Sequence, residues 1–328
     1  MKLSRRSLAG LAGLATGLLA SGRGHAETFL PDRALRMFIG FSANGGTDIM
    51  VRAIATRFER RVGRRTTVEY RPGGVGAGAG EQLKRSPPDG TTVAFMPPTT
   101  LAASLAINRF PFDPLKDLVC LTPIGFSPIA LAVSAETGAS TVEEYVKWMS
   151  NSEPVRHRIG STAGDAFIDI FRKTIGEALG AGLDTVQYRG ALPMANDLIS
   201  GRLPAAVATT PSLLEHHRGG RIRIVMVSGS KRLAALRDVP TAVELGYKPL
   251  DLMSWYGFFA STLTPAPLTE EWNRQLRAVI AEPEVAAQLT QLGLEVETMD
   301  IAEAVKLPAA DLAQWRRRMQ EAGVTPVT

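Results

Sequence analysis

The sequence predicts an α/β protein, and three observations carry that prediction. Strand-like runs recur between helix-like ones, glycine-rich turns sit where a strand passes into a helix, and apolar residues after those turns hold helical spacing. The strand-like runs are Leu35 to Phe41, Thr66 to Tyr70, Thr91 to Met96, Ile129 to Val133, Thr185 to Tyr188, Ile222 to Val227 and Tyr256 to Ala260. They are rich in β-branched, aromatic and other apolar residues. No fixed-period repeat and no low-complexity linker interrupts them.

The N-terminal segment stands apart from this alternation. Arg5-Arg6 precede the apolar run Leu8 to Ala20, and Gly24-His25-Ala26 puts small residues at both positions that a signal peptidase reads, so residues 1–26 read as an export signal cut before Glu27. The run is 13 residues long, short of the about 20 that a membrane-spanning helix needs. Ser4-Arg5-Arg6-Ser7-Leu8 also matches a twin-arginine signal, and paired arginines occur in ordinary leaders, so both export routes stay open. The leader holds Lys2, Arg5, Arg6 and Arg23 and no acid, which leaves 33 of the 37 basic residues against 32 acidic ones. That near balance removes the basic excess that a nucleic-acid face requires. The mature chain of 302 residues is long enough for two domains. Cys120 is the sole cysteine, and its apolar neighbours Leu118, Val119 and Leu121 predict a buried side chain without a disulfide.

After the first strand the spacing of Ile49, Met50, Ala53, Ile54, Phe58 and Val62 predicts a helix from Asp48, stopped by Gly63. It follows Gly45-Gly46. A second glycine turn, Gly73 to Gly80, holds five glycines in eight residues after Thr66 to Tyr70. If the two strands are parallel, both turns face one edge, the edge where open α/β sheets bind ligands. Glycine there permits positive φ, close backbone approach and exposed amide donors, so an anion is the suspected ligand. Gly73 to Gly80 has two open uses, packing of the next helix and direct anion contact. The second half repeats the pattern: Arg158 to Gly164 leads into Ala166 to Ile175, and Tyr188-Arg189-Gly190 leads into Leu192 to Ser200.

Motifs for other chemistry fail position by position. Gly74 to Ala79 fits a loose dinucleotide fingerprint, but Thr91 to Met96 runs into Pro97-Pro98 with no acid for a ribose. Gly160-Ser161-Thr162-Ala163-Gly164 resembles a nucleophile elbow with threonine where the serine must stand. The adjacent His216-His217 pair lacks the i, i+4 spacing of a helical metal site, and a solvated helix end is its expected home. No paired carboxylates single out an acid and a base. The reading is a non-enzymatic protein without cofactor or metal; an exported hydrolase remains as the alternative suggested by the glycine-serine-threonine turn.

Several segments together resemble a known family. Phe41-Ser42-Ala43-Asn44-Gly45-Gly46-Thr47-Asp48, Arg71-Pro72-Gly73, Pro88-Asp89-Gly90, Phe112-Asp113-Pro114, Lys116-Asp117, Lys231-Arg232 through Asp238-Val239-Pro240-Thr241, Trp255-Tyr256-Gly257 and Pro283-Glu284-Val285 are similar in order and spacing to the Bug family. These are the TctC-like solute receptors of tripartite tricarboxylate transporters. The resemblance implies a type II periplasmic binding protein, two α/β lobes with a ligand cleft between them. Residues 27–128 and 256–328 would form the first lobe and 129–255 the second. A small carboxylate, whether di- or tricarboxylate or aromatic, is the implied ligand of a monomeric periplasmic receptor. The implied partners are the membrane subunits of a tripartite transporter, or a membrane sensor kinase in the alternative reading.

The same resemblance implies the contact residues. They are Phe41, Ala43, Asn44, Gly45, Gly46, Thr47 and Asp48 from the first turn, Thr99, then Ser161, Thr162, Tyr188, Arg189, Gly190, Ala191 and Thr209 from the second lobe. A carboxylate at a helix start meets unpaired amides and the positive end of the dipole. Asp48 would repel it, so a role in capping the helix or holding the loop is expected of that side chain. Arg71 has two open roles, anion contact and structure. The chain departs from the family at Ser42-Ala43-Asn44, which replaces Pro-Pro-Gly and makes a more polar turn, at Asp165, near a common histidine, and at Thr209, in place of a common asparagine.

Overall fold

A computed structural model describes residues 29–43, 45–105, 110–153, 157–162, 173, 176–177, 182–188 and 191–321. The leader and its cleavage site lie outside these residues. The described strands are β1 (Leu35–Ile39), β2 (Thr66–Tyr70), β3 (Thr92–Met96), β4 (Leu118–Ser127), β5 (Ile129–Ser134), β6 (Arg158–Thr162), β7 (Asp184–Tyr188), β8 (Ala205–Thr209), β9 (Ile222–Val227) and β10 (Ser254–Ser261). They form two five-stranded sheets, β2-β1-β3-β10-β4 and β7-β6-β8-β5-β9. In the first, β1 runs parallel to β2 and β3, and β10 runs antiparallel to β3 and β4. In the second, β6 is parallel to β7 and β8, and β5 is antiparallel to β8 and β9. Helices follow the parallel strands β1, β2, β3, β7 and β8, as βαβ connections require, and one follows the antiparallel β5: α1 (Gly46–Val62), α2 (Ala77–Arg85), α3 (Pro98–Ala102), α4 (Val142–Ser150, after β5), α5 (Ala191–Ile199) and α6 (Thr210–Arg218), then α7 (Ala266–Ile280), α8 (Pro283–Gln291), α9 (Ile301–Ala304) and α10 (Leu307–Glu321).

The chain leaves the first sheet through Pro128 alone and returns at Ser254. Both passages are pinned by buried hydroxyls. The Ser228 hydroxyl accepts from the Ile129 amide at 2.8 Å and donates to the Leu252 carbonyl at 2.7 Å. Thr210 donates through its amide, at 3.1 Å, and its hydroxyl, at 2.7 Å, to the Pro128 carbonyl. A continuous apolar cluster runs through this junction, from Phe38, Ala94 and Cys120 to Leu131, Val207, Leu252 and Trp255, with Trp315 of α10 against it. Cys120 is the buried free thiol expected, and burial pushes its pKa up. A second cluster fills the space between α1, α7 and the first sheet, where Phe58 stacks on Trp272 with ring centres 4.7 Å apart. Met194, Leu198, Leu213 and Leu214 cover the second sheet.

Local chemistry explains most boundaries. Gly63 ends α1 in the left-handed region, φ 66°, with its amide on the Glu59 carbonyl. The helix begins at Gly46, two residues before the predicted start, and its buried face is Met50, Val51, Ile54, Ala55, Phe58 and Val62. Ile49, expected on that face, is 41% exposed. Strand β4 is absent from the predicted runs because Pro123 and Gly125 interrupt it; a register irregularity against β10 absorbs them. Strand β8, Ala-Ala-Val-Ala-Thr, has the alanine content of a helix and is a strand through burial in the sheet. The histidine pair does stand in the last turn of α6, but half-buried: burial lowers both pKa values, and the His217 Nδ1 accepts from the Ile224 amide at 3.1 Å.

The second glycine turn is a packing device in much of its length. Gly76 has φ 89°, and a Cβ there would lie 2.7 Å from the Thr100 hydroxyl and 2.8 Å from the Phe41 ring. A Cβ on Gly78 would strike the Arg71 carbonyl, and one on Gly80 the Phe112 ring. Phe112 belongs to a stapled loop. The Asp113 carboxylate accepts from the Leu115 amide at 2.9 Å, Asp117 accepts from the Asp113 amide at 2.7 Å, and Lys84 of α2 pairs with Asp117 at 2.8 Å. Gly80→Ala is therefore predicted to destabilise by about 1–3 kcal/mol through overpacking. Phe112→Leu should relieve it, so chemical denaturation of both single variants and the double variant should show a coupled pair, the double costing less than the sum.

Candidate functional site

Parallel pairing decides where the site can be. The C-terminal ends of β1, β2 and β3 share one edge of the first sheet, and those of β6, β7 and β8 share one edge of the second. The two edges approach each other at the starts of α1 and α6. A Cβ built on Gly46 would lie 3.4 Å from the Pro211 Cβ, in the other sheet's helix. Behind this contact Arg218 of α6 donates to the Gln291 carbonyl at 2.9 Å, and Gly293 lies beside Thr210 and Leu214.

The start of α1 presents amide donors. Its first intrahelical bond is from the Ile49 amide to the Gly45 carbonyl, 3.1 Å, so the amides of Gly46 and Thr47 lie ahead of any acceptor within the helix. Gly45 is the N-cap and brings no side chain to them. Neither Gly45 nor Gly46 is at positive φ. Their missing side chains leave room rather than an unusual backbone angle.

Asp48 is the acidic residue in the first turn of α1. It is 2% exposed, and its carboxylate accepts from the Arg52 Nε at 2.8 Å and from the Tyr70 hydroxyl at 2.8 Å. Arg52 also donates to the Tyr70 hydroxyl and lies over the Tyr70 ring. This triangle ties the first turn of α1 to the end of β2 and draws the negative charge into the first lobe. Burial raises the Tyr70 pKa, and the hydrogen bond to Asp48 adds to the rise. Arg71 is equally committed: it donates to Glu69 at 2.6 Å and to the Tyr70 carbonyl at 2.9 Å, and stacks over Phe38. Its structural role is the one observed.

The remaining expected contacts fall along the same two edges. Phe41 and Ala43 follow β1, with the Phe41 ring against Gly76. Thr99 stands at the start of α3 and is 6% exposed. In the second lobe Ser161, 4% exposed, and Thr162 end β6, Tyr188 ends β7, Ala191 begins α5 and Thr209 ends β8. Asn44, Arg189 and Gly190 lie outside the described residues. Thr209 and Ser212 share a hydrogen bond of 3.1 Å between their hydroxyls. Thr210, Pro211 and Ser212 escape the sequence reading, although proline in the first turn after a short strand is a helix-start signal. Among the described residues no cluster of three metal-ligating side chains occurs, and no helix is long and apolar enough to cross a membrane.

Tyr188 carries a measurable consequence. Its hydroxyl donates to Asp197 at 2.8 Å, and Arg202 donates to the other carboxylate oxygen at 2.9 and 2.5 Å. Burial and then the Asp197 bond push Tyr188 up to about 12. The bonds from Arg202, then Tyr188, hold Asp197 below the usual carboxylate range. A depressed folded-state pKa contributes stability that is present above the unfolded value, about 3.9, and is lost as pH falls through the folded value. Tyr188→Phe should therefore cost about 1 kcal/mol at pH 7, and denaturation at falling pH should show the deficit shrinking once Asp197 is protonated.

Comparisons with known proteins agree with the two-sheet architecture. A UPF0065 protein of Bordetella bronchiseptica is 27% identical over 298 residues, covering 90% of this chain and 88% of its own. The solved periplasmic binding protein BugD superposes with a TM-score of 0.82 at 24% identity, over 90% of this chain and 99% of BugD. The R. palustris protein Rpa4515, solved with adipate, gives 0.82 at 23% identity over the same shares. These two superpositions establish a two-lobed periplasmic binding protein fold. The family model for TctC, the tripartite tricarboxylate transporter family receptor, matches residues 50–324, and the chain belongs to that family.

Proposed function

We propose that this protein is a periplasmic solute receptor, not an enzyme, that holds a small carboxylate between its lobes and delivers it to the membrane subunits of a tripartite tricarboxylate transporter. The observation that carries the reading is the meeting of two strand-end edges at Gly46 and Pro211, where the amides of Gly46 and Thr47 have no acceptor within α1. Helix starts of this kind attract anions through unpaired N–H groups and the helix dipole. Adipate in a neighbour of the same fold supports a carboxylate. Residues 1–26 serve as the export signal, residues 27–128 and 256–328 as one lobe and 129–255 as the other. The contact set proposed is Phe41, the series from Ala43 to Asp48, Thr99, Ser161, Thr162, Tyr188 to Ala191, and Thr209. Within it Thr47 supplies a hydroxyl donor, while Asp48 and Tyr188 act by holding their turns in place.

Calorimetric titration tests the grip directly. A hydrogen bond to a charged group contributes about 1.5–3 kcal/mol, so Thr47→Ala should weaken binding of the preferred acid about tenfold or more. Gly46→Val should weaken it further, because the branched side chain enters the space against Pro211 and holds the lobes apart. Melting curves without ligand should barely move for either variant. Wild-type binding by Thr47→Ala, together with loss of binding and intact stability on substitution at Gly73 or Gly74, would move the grip to the second glycine turn.

A further inference from the structure

Strand β2 closes one end of the first sheet, and its outer edge is open. At other sheet ends, β4 is met by the Glu295 segment through a bridge to Phe126, and β9 by Thr241 through a bridge to Val227. No segment among the described residues bridges to the outer edge of β2. The Leu35 amide donates to the Arg65 carbonyl at 2.8 Å and the Arg71 amide to the Ile39 carbonyl at 2.7 Å, so the parallel ladder to β1 engages the odd-numbered residues. Thr66, Val68 and Tyr70 therefore turn their amides and carbonyls outward. The Glu59 carboxylate caps the Thr66 amide at 2.8 Å, and Arg71 caps the Tyr70 carbonyl at 2.9 Å. Between these caps the Thr66 carbonyl, the Val68 amide and carbonyl, and the Tyr70 amide form an open row that an extended chain can complete.

The groove beside this edge is basic. Arg52, Arg60, Arg64 and Arg65 line a volume of about 760 Å³ that also takes in Val68, with Glu59 as its one acid. Asp48 answers Arg52, Asp32 answers Arg64, and Glu59 is taken by the Thr66 amide. Arg60 and Arg65 are exposed, and neither pairs with a carboxylate among the described residues. A basic residue in the last turn of a helix, such as Arg60, is ordinary, since it complements the dipole. Its conjunction with Arg65 and an open strand edge defines a recognition surface of one chemistry. We infer that this edge receives an extended acidic segment of a partner protein, which joins the first sheet as a strand beyond β2 and sets its carboxylates on Arg60 and Arg65. A second copy of this chain fits poorly, because pairing β2 with itself would bring the same unanswered arginines together. Arg60 and Arg65 stand at the start of β2, away from the strand ends that form the candidate ligand edge.

Fluorescence anisotropy with a short labelled peptide that alternates glutamate and valine tests this. The peptide should bind, its lysine-for-glutamate counterpart should not, and added salt should weaken the complex. N-methylation of all its backbone amides removes the donors on both edges and should also weaken it. Arg60→Glu combined with Arg65→Glu, both at exposed positions, should fold normally and weaken binding about tenfold. Val68→Pro should abolish binding and keep the β-sheet circular dichroism, because the Val68 amide takes no part in the ladder to β1. Should that variant unfold, the N-methylated peptide tests the same edge on the wild-type protein. Equal binding of the glutamate and lysine peptides overturns the inference, as does wild-type affinity in the double arginine variant or full affinity of the N-methylated peptide. Failure of the glutamate peptide to bind also overturns it. Sedimentation as a dimer that Val68→Pro dissociates would do the same, by giving the edge to a second copy.

Discussion

Everything at the candidate site depends on the parallel pairing of β1 with its neighbours and of β6 with its own. A parallel strand must return through a crossover, so every strand end on one edge becomes a helix start. The first lobe thereby presents α1 and α3 on one edge, and the second presents α5 and α6. The two edges meet where Gly46 lies against Pro211, and the amides of Gly46 and Thr47 there precede any acceptor within α1. The single-residue passage at Pro128 holds the edges opposite each other. Thr210, hydrogen-bonded to the Pro128 carbonyl, stands next to Pro211, so the element that fixes the passage also forms the far wall of the gap.

Asp48, in the first turn of α1, illustrates how a conflict of charge at the proposed anion site is resolved. A carboxylate in the first turn of a helix stabilises the helix but opposes an anionic ligand. Burial of Asp48 against Arg52 and Tyr70 keeps the first effect and weakens the second, since its charge is neutralised within the lobe. Tyr188 and Asp197 do comparable work in the second lobe, where the Tyr188 hydroxyl anchors α5 to the end of β7. Such anchors hold the turns from within each lobe and leave the backbone amides as the proposed recognition groups.

Much of this was legible in the sequence because it is local. Gly63 after an apolar helical pattern, and glycines after β-branched runs, act within a few residues of themselves. Phe112-Asp113-Pro114 was legible as a motif, though not as the staple that packs a ring on Gly80, since that contact joins distant segments. The partnership of Asp48 with Tyr70 spans 22 residues, and the approach of Gly46 to Pro211 spans two lobes. No periodicity reports such contacts. Strands β4 and β8 were hidden for a different reason: proline, glycine and alanine have unfavourable local propensity there, and burial between neighbouring strands outweighs it.

The central claim is that amides from both facing edges hold one anion. Amide resonances followed by NMR during titration with adipate test it most directly. The Gly46 and Thr47 amides of the first lobe and the Ala191 amide of the second are expected to shift together along one saturating isotherm. Shifts confined to one lobe, or centred on Gly73 and Gly74 while Gly46 and Thr47 stay unmoved, would contradict it.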